Sequence, residues 1–250
     1  MRLGVYGDSF TSSHMESNHF SWFNVLAEML GGKVYNFERG ITDITYGLGA
    51  TSTFFSYKYF LKNYEKHDLN IFVASDARKY TKLVKLFDED YFRPISGLAS
   101  LEWYINDPKL TDEDKEMLEQ IKSWFLVNDE EYMVMTQELI LQDIENKGKD
   151  NVIILTAALE ETFIPSRREK SDVTFGLWDF VHVIHNSLDC LSNTKRGEER
   201  PDKIAAHMTE EGNRLFANML YNYITKKEKM ILPKFINHEH NYTYYYTGQI

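Results

Sequence analysis

Two short stretches at opposite ends of the chain carry residue types suited to acyl chemistry. Near the start, the apolar run Leu3-Gly4-Val5-Tyr6 ends abruptly in Gly7-Asp8-Ser9, and near the end Asp202 and His207 stand just before a helical pattern that opens at about Thr209. A serine hydroxyl is a weak nucleophile until a base removes its proton, and an imidazole base needs an acceptor to hold it in one tautomer. Ser9 alone is either a nucleophile or a polar residue closing a turn. His207 tips the balance toward the nucleophile. In open α/β sheets ligands bind outside the C-terminal ends of the strands, where Ser9 would lie and to which a histidine preceding the last helix can return.

The elements that must position these residues follow from the pattern of apolar runs. Arg2–Gly7, Lys33–Phe37, Asn70–Ser75 and Asn151–Ala157 read as strands, and their continuous apolarity predicts a parallel sheet covered on both faces. Helical patterns lie between them at His19–Leu30, which stops at Gly31-Gly32, at Thr51–Tyr64, and at Met208–Lys227. Alternating strands and helices predict an α/β protein, a three-layer α/β/α sandwich formed by a single domain over residues 1–250. The stretch 98–149 breaks the rhythm with two helical patterns, one opening at Thr111 and one ending at Gly148. It reads as an acidic helical insertion in the position of a lid. Residues 233–250 form a tyrosine-rich tail without periodicity.

Composition removes several classes. A net charge of −10 argues against a general nucleic-acid binder, and a single cysteine, Cys190, excludes an internal disulfide framework and any multi-cysteine zinc site. Asp8 interrupts the first apolar run too early for a signal peptide, and no apolar stretch is long enough to span a bilayer, so the expected location is cytoplasmic. The sequon at Asn241-Tyr242-Thr243 then reads as chance. The histidine pairs His182/His185 and His238/His240 have no acidic residue at matching spacing and read as structural rather than metal-binding. No Gly-x-Ser-x-Gly elbow, phosphate loop or His-Glu-x-x-His motif occurs.

The Tyr6-Gly7-Asp8-Ser9-Phe10-Thr11 stretch resembles the first motif block of the SGNH (GDSL-type) esterases and lipases. Asp202 to Asn213, with its His-Met-Thr-Glu-Glu-Gly-Asn run, resembles their last block. The resemblance implies a flavodoxin-like sandwich in which Ser9 attacks an ester carbonyl, His207 is the base and Asp202 orients the ring. The family commonly places its acid three residues before the histidine, where this chain has Ile204; Asp202 stands five before. For the oxyanion, the resemblance implies the backbone N–H of Ser9 and that of a glycine after the second strand. Gly40, Gly47 and Gly49 are the choices, and Gly49 is preferred because it opens a helix as the family block does. The family's third block carries an asparagine donor; here Ser75 and Asp76 occupy its place, so Ser75 is the candidate third donor. Asp8, Asp76 and Arg78 are candidate substrate-binding residues.

What the resemblance implies in sum is a serine esterase, most readily an O-deacetylase of acetylated carbohydrate, working without metal or cofactor. The weakened middle blocks resemble divergent phage-encoded members. The rival expectation is an SGNH-fold binding or structural subunit, for example in a viral particle, that meets a protein partner through the tail or the insertion.

Overall fold

The computed structural model describes residues 1–11, 21–31, 51–75, 77, 82–84, 93–95, 101, 104–127, 130–156, 208, 210–228 and 230. In chain order the elements are β1 (Leu3–Tyr6), α1 (Trp22–Met29), α2 (Thr53–Asn63), β2 (Leu69–Ala74), β3 (Lys82–Val84), β4 (Arg93–Ile95), α3 (Asp112–Leu126), α4 (Glu130–Gly148), β5 (Val152–Thr156) and α5 (Glu210–Lys226). The expected strand Lys33–Phe37, the helix around His182 and His185, and the tail 233–250 lie outside the described residues.

β1, β2 and β5 form a parallel sheet in the order β1-β2-β5, with Val5 opposite Ile71 and Ile71 opposite Ile153. Because successive strand side chains point to opposite faces, one sequence run must feed two cores. Leu3, Val5, Ile71, Val73, Ile153 and Leu155 meet Trp22, Phe23 and Leu26 of α1 and Phe216, Ala217 and Leu220 of α5. The residues between them, Tyr6, Phe72, Ala74 and Ile154, meet Phe60 of α2 and Ile140, Leu141 and Ile144 of α4. This is the expected three-layer α/β/α arrangement, and it explains why the strands read as continuous rather than alternating. Cutting a Leu, Ile or Phe so buried to Ala costs about 2–5 kcal/mol.

The stretch expected as one insertion divides in two. Parallel neighbours need a crossover connection, and α4 supplies it between β2 and β5, packing on the sheet and against α2. Its helix belongs to the main layer. The remainder, with Leu101, Leu110 and Leu118 backed by Met117, Ile121 and Phe125 of α3, shares a small separate core with Ile95 of β4, which lies ahead of that stretch. There β3 and β4 pair antiparallel, a ribbon of three-residue strands too short to show a period in sequence.

Helix ends follow their local chemistry. Thr111 caps α3, accepting from the Asp114 N–H at 3.1 Å, while the Asp114 carboxylate accepts from the Thr111 N–H at 3.3 Å. Ser52 caps α2 by accepting from the Phe55 N–H at 3.3 Å. After α1 the chain turns at Gly31, whose φ of +66° is a left-handed conformation that L side chains rarely adopt.

Candidate active site

The site grows from the end of β1. Beyond Tyr6 the Asp8 carbonyl accepts from the Thr11 N–H at 3.0 Å and the Thr11 hydroxyl at 2.8 Å, closing a single 3₁₀ turn over Ser9–Thr11. Gly7 makes that turn possible. A Cβ there would meet Val73 Cβ at 2.8 Å and Thr11 Cγ2 at 2.9 Å, both on stiff β-branched side chains. The Gly7 carbonyl accepts from the Ser56 hydroxyl at 3.0 Å, so the start of α2 is tied to the strand end. From Leu3 to Thr11 every residue is buried except Ser9, which keeps partial exposure. The turn therefore presents one hydroxyl at the C-terminal edge of the sheet.

Beneath it lies a buried polar network. Asp8 is 1 % exposed; its Oδ1 accepts from the Phe10 N–H at 3.2 Å and its Oδ2 from the Ser75 hydroxyl at 2.8 Å. Ser75, just past the end of β2, is itself fully buried. Its N–H donates to Thr53 Oγ1 at 3.0 Å and its carbonyl accepts from Gln137 Nε2 at 3.1 Å. Three elements besides β1 thus meet under the Ser9 turn: α2 through Thr53, the end of β2 through Ser75, and α4 through Gln137. The first-turn N–H groups of α2 gather at this same edge, where a helix N-terminus favours negative charge.

This network engages two of the expected site residues. Ser75 has one hydroxyl proton, and here it is directed at Asp8. Asp8 was expected among residues lining the substrate. Its carboxylate faces inward, holding the turn from below through Phe10 and Ser75.

The second motif reaches the site through a different set of bonds. Met208 is buried in the core between the sheet, α1 and α5. Its carbonyl accepts from Asn213 Nδ2 at 3.3 Å, while Asn213 Oδ1 accepts from the Trp22 N–H at 2.8 Å. The Trp22 indole Nε1–H donates in turn to the Phe10 carbonyl at 2.8 Å. The residue after His207 and the residue after Ser9 are thereby joined through α1.

Of the predicted site residues, the structure brings Ser9, Asp8 and Ser75 together; Gly49, Asp76, Arg78, Asp202 and His207 lie outside the described residues. Thr53, Ser56, Gln137, Trp22 and Asn213 were not singled out from sequence. Asn213 closes the quoted His-Met-Thr-Glu-Glu-Gly-Asn run and was visible there, whereas Gln137 sits mid-helix with no local signal. Among the described residues no group of three His, Cys, Asp or Glu could hold a metal ion, and no helix is long and apolar enough to cross a membrane.

Fold and site together define an α/β/α protein whose first parallel strand delivers a serine to the C-terminal edge of the sheet. No family model matches the chain, and no curated protein does. The chain is similar to the solved structure of a protein assigned as a lipolytic member of the G-D-S-L family, from Desulfitobacterium hafniense DCB-2. The TM-score is 0.43 and the identity 15%, over 88% of this chain and 97% of that one.

Proposed function

We propose that the chain is a serine ester hydrolase of the SGNH type, and that it removes acetyl groups from carbohydrate. The observation that carries this reading is the partly exposed Ser9, alone among buried neighbours at the end of β1 and seated on the Asp8–Ser75 network. In the proposed reaction Ser9 Oγ attacks the ester carbonyl while His207 accepts its proton, with Asp202 orienting the ring. Collapse of the tetrahedral intermediate expels the alcohol, which takes the proton back from His207. Water, deprotonated by the same imidazole, then releases the acyl group from Ser9 and restores the hydroxyl. The backbone N–H groups of Ser9 and Gly49 receive the oxyanion, and Asp76 and Arg78 line the substrate. The acetylated-carbohydrate substrate rests on the motif resemblance alone.

A fluorophosphonate probe and an aryl acetate test the reading. Labelling lost in Ser9→Ala, with turnover lost in both Ser9→Ala and His207→Ala, is the expected result. A folded protein that neither labels nor turns over acetate overturns it.

One observation favours a second reading, a catalytically weakened binding or structural subunit. With the Ser75 proton committed to Asp8, the oxyanion has one donor fewer than the motif resemblance implies, a loss worth roughly 10²–10³ in rate. Under this reading the exposed apolar residues Trp124, Leu126, Val127, Tyr132, Met135 and Leu139 of the α3–α4 region are partner surface. Absence of labelling together with a stable complex through those residues would establish it.

A further inference from the structure

We propose that Asn213 is a positioning residue that ties the Ser9 turn to Met208, the residue that follows His207 in the sequence. The inference rests on the assignment of Ser9 and His207 made above and adds to it the device that aligns them. A carboxamide offers an acceptor and a donor in one plane, and Asn213, fully buried at the start of α5, uses both on the backbone of other segments. Its oxygen meets the Trp22 N–H at 2.8 Å and its nitrogen meets the Met208 carbonyl at 3.3 Å. A backbone N–H only donates and a carbonyl only accepts, so the orientation of the amide is unambiguous.

Trp22 extends the brace. Its backbone N–H, one of the first-turn donors of α1 that no helix bond can satisfy, is bound by Asn213, and its indole N–H binds the Phe10 carbonyl at 2.8 Å. The indole is fully buried and packs edge-on against Phe216, one helical turn after Asn213, with ring centres 5.2 Å apart and planes at 83°. A shift of Met208 must therefore break a buried hydrogen bond, and a shift of the Ser9 turn must break another or move a locked indole. Nucleophile and base come from opposite ends of the chain. Attack requires reacting atoms aligned to a fraction of an ångström, and a displacement of about 1 Å can cost on the order of 10²-fold in rate.

The two halves of the brace can be released separately in the full-length chain. Asn213→Asp keeps an acceptor for the Trp22 N–H but turns an oxygen toward the Met208 carbonyl, freeing the His207 side. Trp22→Phe keeps an aromatic ring and deletes the indole N–H, freeing the Ser9 side. With an aryl acetate as substrate, each is expected to lower kcat about tenfold at unchanged KM, with a matching fall in the rate of Ser9 phosphonylation. The double variant should lose less than the product of the two, because both act through one connection. Asn213→Asp should also move the pH at which kcat/KM is half-maximal, and Trp22→Phe should not.

A purely structural role for the brace would lower the melting midpoint and leave kcat per folded molecule, and the pH profile, where they were. That result in Trp22→Phe overturns the proposal even if Asn213→Asp fails to fold. Ser9→Ala separates the two levels. If it abolishes turnover while the brace variants keep wild-type kcat, the positioning role falls and the catalytic assignment stands. If Ser9→Ala keeps full turnover, the assignment falls and the proposal with it.

Discussion

The two edges of one sheet treat polar groups in opposite ways. At the N-terminal edge Arg2 pairs with Asp68 at 3.0 Å in solvent, with 63 % and 46 % of their side chains exposed. Close by, the Tyr6 hydroxyl reaches down to Asn70 Oδ1 at 3.1 Å and lies 3.2 Å from His67 Nδ1. At the C-terminal edge a carboxylate, two side-chain hydroxyls and a carboxamide bond one another and the backbone with almost no access to water. The first edge closes a strand end, and its Arg2–Asp68 pair competes with solvent while only the Tyr6–Asn70 bond is buried. The second uses each bond to tie a different element under the partly exposed Ser9. Rigidity at the site comes from burial of the bonds, because an unmade buried bond has no water to replace it.

The contrast can be broken most severely at Asp8. Asp8→Ala removes the acceptor of both the Ser75 hydroxyl and the Phe10 N–H, and is expected to destabilise the fold by about 3 kcal/mol in urea unfolding. Asp8→Asn, which keeps one acceptor oxygen, should lose clearly less. Next comes Gly7→Ala, whose methyl would press on Val73 and Thr11; a loss of about 1–3 kcal/mol by the same measurement is expected.

The N-terminal edge should respond more weakly and through pH. Burial lowers the His67 pKa below its ordinary 6.5, with Arg2 and Lys66 adding to the effect against the opposing Asn63 carbonyl and Asp68. Below about pH 6.5 the unfolded chain then binds more protons than the folded one. Stability should therefore fall as the pH drops from that value toward the lower folded-state pKa. His67→Gln should flatten this slope when urea midpoints are compared at roughly pH 7.5 and 5.5.

The smallest effect is expected at Arg2→Ala. Hydrogen bonds from the Arg2 side chain and N–H hold the Asp68 carboxyl below its ordinary pKa of 3.8. What the pair contributes is present above that value and lost as the pH falls through the lower folded one. At neutral pH the unfolding midpoint should barely move, and added salt should erase the difference. A shift comparable to that of Asp8→Ala would mean that the two edges do not differ as described.

Much of the fold was legible because its signals are local. Continuous apolar runs marked β1, β2 and β5 to within a residue or two, and Thr111, Gly31 and Gly148 marked helix ends by the chemistry of their own turns. The role of α4 as a crossover on the sheet was not legible, because the acidic composition of the preceding segment masked it. Only contact with the sheet shows that Ile140, Leu141 and Ile144 belong to the main core. In the site, Ser9 could be read from the abrupt end of an apolar run. The inward turn of Ser75 could not, since its partner Asp8 lies 67 residues away.

What the sequence determined by itself was the parallel α/β/α class and a serine at the end of the first strand, since periodicity and an abrupt polar stop act through neighbouring residues. The tertiary structure decided which polar groups serve the surface and which serve the interior. It turned Asp8 and Ser75 toward each other, and it enlisted Thr53, Gln137, Trp22 and Asn213 in support of two short motifs. A hydrogen bond is specified by the approach of two groups, and here each pair is brought together by a sheet and helices built from distant parts of the chain.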